Sequence, residues 1–243
     1  MLQVIYRLST NSYKKERFEF ATKEYCLMNF LKHFPRNIVH LMIDDTNLKL
    51  ETIGILSAMH HEEEFASFTM HTGGSSAGAW RNAIIKMQSL NLADEDYVLF
   101  QEDDYLYLPN AQSILMEGAK RADYVAPYLH LDRFIPASKG GNPYIDDAGS
   151  FLTRMFKTDN RFWVQVESTT LTFLVNVKAF REDLSVWEKW TLGTYPHDFQ
   201  AFLELGKTGR TVISPVPTIA THTESVWQSP LIGTGYKEWK NVL

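Results

Sequence analysis

The sequence predicts an α/β protein built on a mostly parallel sheet flanked by helices. Three observations carry this. Short apolar runs recur through the first hundred residues; stretches with helical spacing separate most of them; and 44% hydrophobic with 22% charged residues is ordinary globular composition. Strand and helix alternating in this order feed parallel pairing through helical crossovers.

Residues 2–8 and 38–43 are compact apolar runs bounded by polar or turn residues, the pattern of buried strands. Between them Tyr25, Met28, Leu31 and Phe34 recur near helical spacing, and Pro35 closes that element. Residues 47–59 predict a second helix and 65–70 a third strand. A third helix is expected over 78–90, where Trp80, Ile84 and Met87 fall at i, i+4 and i+7, and a fourth strand over 97–100.

The second half is less regular. Residues 111–121 suit a helix and 124–128 a strand. Residues 132–160 carry Pro136, Gly140, Gly141, Pro143 and Gly149, and irregular stretches this long are usually functional or mobile. One or two strands are expected over 162–177, helices over 177–190 and 197–205, and a last strand over 211–213. With no repeat, linker or low-complexity segment, 1–243 is expected to be one domain, with halves 1–110 and 111–243.

Composition removes several function classes. The 24 basic and 29 acidic residues leave a formal charge of −5 and no basic stripe, so no nucleic-acid partner is expected. The single cysteine, Cys26, excludes an internal disulfide and a Cys-rich zinc site, and is consistent with a reducing compartment. No apolar run approaches the ~18 residues of a membrane span, and the first residues lack a secretory signal pattern, so a cytoplasmic protein without an integral membrane segment is expected.

The strongest chemical signal is Tyr97-Val98-Leu99-Phe100-Gln101-Glu102-Asp103-Asp104, a buried strand running into three carboxylates. Alternation along an extended chain would turn Glu102 and Asp104 one way and Asp103 the other. Carboxylates crowded at a strand end repel one another unless donors or a cation compensate, and a hard divalent ion suits oxygen ligands. The plain alternative is a solvated acidic turn. Position favours the ligand reading, because open α/β sheets bind ligands beyond their strands' carboxyl ends.

Other segments carry weaker signals. His71-Thr72-Gly73-Gly74-Ser75-Ser76-Ala77-Gly78 leads through small residues toward Trp80 and Arg81. Such a loop lets backbone near Gly73 approach a ligand, and helix N–H groups favour an anion; an ordinary surface loop is the alternative. Asp44 and Asp45 end the second strand, where an aspartate either caps a turn or accepts from a nucleobase N–H. Asp198 opens a helix, either complementing its dipole or held rigidly as a general base. His222 just follows a strand, as a surface residue or as an additional metal or diphosphate ligand.

Over roughly residues 1–110 this order resembles the nucleotide-sugar-dependent glycosyltransferases of the GT-A, Rossmann-like fold, closest to the inverting family 2 type. The resemblance rests on Arg7-Leu8-Ser9-Thr10, Asp44-Asp45, the small-residue loop before Arg81-Asn82, and Glu102-Asp103-Asp104. It implies that Ser9, Thr10, Asp45 and Arg81 contact the nucleotide, that Glu102 and Asp103 lie near the ribose, and that Asp104 binds Mn²⁺ or Mg²⁺. It also implies a nucleoside diphosphate sugar donor, UDP-linked by default, a carbohydrate or glycoconjugate acceptor, and nucleotide-sugar-binding and acceptor-binding halves. The sequence departs from the family in reading Glu-Asp-Asp in place of Asp-x-Asp, and His197-Asp198 in place of Glu-Asp. Acceptor-side residues are expected among Arg133, Tyr144, Asp146, Asp147, Arg154, Trp163, Glu167 and Thr169. The rival readings are a nucleotidyltransferase, although no Gly-rich basic loop follows the first strand, a metal-dependent hydrolase using His71, and a catalytically silent binding module.

Overall fold

The computed structural model describes residues 1–9, 16–44, 64–143, 153–224 and 229. Its elements run β1 (Leu2–Ser9), α1 (Lys23–His33), β2 (Val39–Asp44), β3 (Ser67–His71), α2 (Ser76–Ser89), β4 (Tyr97–Glu102), β5 (Tyr105–Tyr107) and α3 (Ala111–Gly118). They continue with β6 (Tyr124–Val125), β7 (Met155–Lys157), β8 (Phe162–Val166), β9 (Phe173–Asn176), α4 (Val177–Glu182) and α5 (Leu184–Lys189). The last are α6 (Asp198–Lys207), β10 (Val212–Val216) and β11 (Ala220–His222). Contacts divide the chain into two units of interleaved segments. The first draws on 1–14, 34–103 and 168–210, the second on 15–33, 104–167 and 211–243.

In the first unit β3, β2, β1 and β4 pair in parallel in that order, and β9 adds antiparallel to β4. β1, β2 and β4 are largely apolar because strands inside a parallel sheet are buried on both faces, whereas the edge strand β3 is half-buried with Met70 exposed. The register sets Ser9 opposite Asp44, Asp44 opposite His71, and Arg7 opposite Glu102, which carries their polar C-terminal residues to one edge. An aromatic core packs beside them. Trp80 lies 4.7 Å from Phe100, 5.7 Å from Phe173 and 5.4 Å from Trp187 between ring centroids, all four fully buried. Pairs at such spacing add about 0.5–1.5 kcal/mol each beyond the area they bury.

In the second unit β10 pairs parallel to β6 and antiparallel to β8, β7 pairs antiparallel to β8, and β11 pairs antiparallel to β5. The β11–β5 ladder is braced by buried Asn29 on α1. Its Oδ1 accepts from the Tyr107 N–H at 2.6 Å and its Nδ2 donates to the Tyr107 carbonyl at 3.1 Å, satisfying both backbone groups.

The α/β class is as expected, and the departures have physical causes. The expected helix over 177–190 is two helices broken at Asp183, whose carboxylate receives the Arg210 Nε–H at 2.9 and 3.0 Å. The strand expected over 211–213 is β10, which runs on to Val216, and a further three-residue strand, β11, follows it. Within 132–160 the described residues carry short 3₁₀ turns over Leu131–Phe134 and Ala137–Lys139, and β7, while 144–152 lie outside the described residues. The expected helix over 47–59 lies outside the described residues.

Candidate functional site

At the strand edge of the first unit, each carboxylate has a donor from a neighbouring segment. Glu102 ends β4 with Oε1 3.3 Å from Arg7 Nη2, while the Thr172 hydroxyl donates to Oε2 at 3.2 Å. The Arg7 guanidinium, nearly buried, also lies 5.0 Å from the Trp80 ring centroid. Asp103 Oδ2 accepts the Ser9 backbone N–H at 2.7 Å, so Ser9 and Asp103 are each other's partners. Asp44 Oδ1 accepts the Gly73 N–H at 2.8 Å. The alternation expected over 102–104 does not occur, because the strand ends at Glu102 and the chain bends at Asp103 and Asp104.

The small-residue loop folds on itself. A Cβ on Gly73 would stand 2.6 Å from both Asp44 Oδ2 and the Ala79 nitrogen, and one on Gly78 would overlap the Gly73 carbonyl. These glycines serve backbone-on-backbone packing. The N–H groups expected to favour an anion are largely engaged. Ala77 donates to the Thr194 carbonyl at 3.1 Å, Gly78 to Ser75 Oγ at 3.0 Å, and Ala79 to the Ser75 carbonyl at 2.9 Å. Arg81, on α2, gives Nη1 to the carbonyls of Thr191 and of Gly193, the latter at 3.2 Å. The segment thus latched runs on to Asp198, the first residue of α6, whose Oδ1 accepts the Phe199 N–H at 2.8 Å. Asp198 is half-buried. His71 is held neutral: burial lowers its pKa, with the nearby Asp44 charge opposing and Arg7 reinforcing that shift, and Nδ1 accepts from Asn82 Nδ2 at 2.9 Å.

The second unit brings together Asp104, His222 and Glu224, whose ligand-capable atoms all lie within 4.8 Å of one another. His222 Nε2 is 3.3 Å from Asp104 Oδ2 and 3.7 Å from Glu224 Oε1. Backbone fixes the three side chains. β11 places His222 opposite Tyr105, the Thr223 N–H donates to the Asp104 carbonyl at 2.9 Å, and Arg17 forms an antiparallel bridge to Glu224. Tyr105 packs edge-on against the His222 ring at 5.0 Å. Arg17 Nη2 stands 3.0 Å from Asp104 Oδ2. One imidazole and two carboxylates make a donor set that fits a hard to borderline dication. The Glu224 N–H points at His222 Nδ1 at 3.2 Å, which leaves the ring proton on Nε2 facing the carboxylates. Ligation through Nε2 needs the other tautomer, with that amide contact released.

Of the expected site residues, Asp104 and His222 come together, and Ser9, Gly73, Glu102 and Asp103 lie at the strand edge of the first unit. Thr10, Asp45, Tyr144, Asp146 and Asp147 lie outside the described residues. Trp163 is not an acceptor-facing aromatic. It is fully buried, with Nε1 bonded to Thr158 Oγ1 at 3.0 Å, and its ring is where a Cβ on Gly118 would fall at 2.5 Å. Arg133, buried and ion-paired to Glu167, braces the second unit. Sequence reasoning missed Arg17 and Glu224. Glu224 had a signal, standing two residues after His222 on extended chain; Arg17, 87 residues from Asp104, had none.

No known protein family matches this sequence, and no curated protein matches it either. Among solved structures the fold is similar to that of GalNAc-T7 with UDP, GalNAc and Mn²⁺, at 12% identity and TM-score 0.61. That alignment covers 99% of this chain and 47% of the other, so this chain spans about half the length of that protein. A fainter likeness, TM-score 0.46 at 14% identity over 84% of this chain and 85% of the other, is to 4-diphosphocytidyl-2C-methyl-D-erythritol synthase. The fold is therefore α/β of the GT-A, Rossmann-like type. Among the described residues no helix is long and apolar enough to cross a membrane.

Proposed function

We propose that this chain is a metal-dependent glycosyltransferase, moving a sugar from a nucleoside diphosphate sugar, UDP-linked in the first instance, to an acceptor hydroxyl in the cytoplasm. The observation that carries the reading is the convergence of Asp104, His222 and Glu224 in a chain of GT-A type. The neighbour whose structure holds UDP and Mn²⁺ supports the choice of donor and ion. Asp104, His222 and Glu224 would hold Mn²⁺ or Mg²⁺. When bound, the ion supplies positive charge that stabilises a leaving diphosphate.

The remaining roles belong to the chain's own groups. Ser9, Thr10, Asp45 and Arg81 bind the nucleotide, and the Gly73 backbone, Glu102 and Asp103 line the donor side. Asp198 takes the proton of the acceptor hydroxyl as its oxygen attacks the anomeric carbon. The bond from that carbon to the diphosphate oxygen breaks on the opposite face, so configuration inverts. A carboxylate in the first turn of α6 is held by backbone rather than by a long flexible stem, as a general base requires.

A thermal-shift panel of nucleoside diphosphates with and without Mn²⁺ tests this reading. UDP should raise the melting temperature only with the metal, since a ligand at 100 times its dissociation constant adds about 2.7 kcal/mol. Asp104→Ala should lose the metal response, donor affinity and transfer together. Wild-type transfer by Asp104→Ala without metal contradicts the assignment.

A further inference from the structure

Arg17 has no place in the mechanism above, yet it occupies the charge position that the mechanism gives to an ion. Its Nη2 is 3.0 Å from Asp104 Oδ2, the same oxygen that lies 3.3 Å from His222 Nε2. Both side chains of the Arg17–Asp104 pair are largely buried, with relative exposures of 16% and 8%. The main chain is fixed independently of the guanidinium. Arg17 bridges to Glu224, and the Phe18 N–H donates to the Thr223 carbonyl at 3.2 Å. The chain carrying Arg17 is therefore tied to the chain carrying two of the three ligands by contacts that do not involve its side chain.

We propose that Arg17 is an exchangeable resident cation, holding Asp104 when no metal is bound and giving it up to a dication. The inference rests on reading Asp104, His222 and Glu224 as a metal centre. An isolated buried carboxylate is costly, so the metal-free protein needs a positive partner at Asp104. A guanidinium and a dication repel strongly if they share one carboxylate oxygen, so the two exclude one another there. Because the backbone bridge holds Arg17 close by, the displaced side chain stays near the centre and competes with the ion for re-entry. Metal affinity is thus set partly by a residue that is not a ligand.

Mn²⁺ binding followed by the EPR signal of the free ion tests this without an activity readout. Arg17→Gln, which keeps polarity and removes charge, should bind Mn²⁺ at least about tenfold more tightly than the unaltered chain. Arg17→Lys keeps the charge on a different stem and should fall between the two; it also serves if Arg17→Gln does not fold. Asp104→Asn should lose binding. Equal or weaker binding by Arg17→Gln, with Asp104→Asn still losing it, overturns the exchange while leaving the metal centre intact. Absence of Mn²⁺ binding in the unaltered chain and both Arg17 variants overturns the metal centre and the exchange with it.

Discussion

Three consecutive carboxylates reach two different kinds of environment. Glu102 and Asp103, in the first unit, are tied to Arg7, Thr172 and the Ser9 backbone, and so lace strand ends together. Asp104, in the second, meets an imidazole, a further carboxylate and the Arg17 guanidinium. The same acidic run therefore braces strand ends at Glu102 and Asp103 and brings candidate ligand chemistry at Asp104. Glu102 and Asp104 each have a largely buried Arg partner, Arg7 and Arg17; what separates them is that Asp104 shares its surroundings with an imidazole and a second carboxylate, so that one guanidinium faces two carboxylates.

Asp198 is the proposed exception in the first unit, and it carries the largest expected effect. Asp198→Asn should lower transfer about 10²–10⁴-fold while UDP binding is retained, read by steady-state rates beside a thermal-shift titration. Loss of both together would make it one more bracing carboxylate. Next comes Gly78→Ala, whose Cβ would run into the Gly73 carbonyl with no side chain free to yield. It should cost about 3 kcal/mol, lowering Tm by about 6–12 °C. An unchanged Tm would mean that this loop is free to open toward a ligand.

Acid should also reveal the first unit's internal bonding. His40 donates Nε2–H to Gln3 Oε1 at 3.0 Å and accepts at Nδ1 from Ser67 at 2.8 Å; burial, with Lys86 adding, pushes its pKa down to about 4. The unfolded chain then binds more protons between about pH 6.5 and 4, so stability is complete above 6.5 and falls as pH drops through that window. The loss should reach roughly 2–3 kcal/mol by pH 4 in urea denaturation, and His40→Gln should flatten the slope. Smallest of all, Glu102→Gln should cost about 1–2 kcal/mol of stability and leave the Mn²⁺ response unchanged. A lost response would make the first unit's carboxylates metal ligands.

β1, β2 and β4 were legible because buried parallel strands are largely apolar, and their ends at Ser9, Asp44 and Glu102 marked the edge where polar groups collect. The break at Asp183 was not legible, since its partner Arg210 lies 27 residues away. Nor was β11, three residues long and defined by pairing with β5 more than a hundred positions earlier. Trp163 misled because an aromatic residue in a polar neighbourhood looks the same on paper whether it faces a sugar or fills the gap above Gly118. In the candidate metal site, Asp104 and His222 showed through residue type and position after strands. Arg17 belongs to a pairing that periodicity does not encode.

Anomalous diffraction from crystals grown with Mn²⁺ tests most directly which carboxylate seats a cation. The expected result is a single strong manganese peak at coordination distance from Asp104, His222 and Glu224, with Arg17 turned away from Asp104. A peak on Glu102 or Asp103, or none near Asp104 at saturating Mn²⁺, would contradict it.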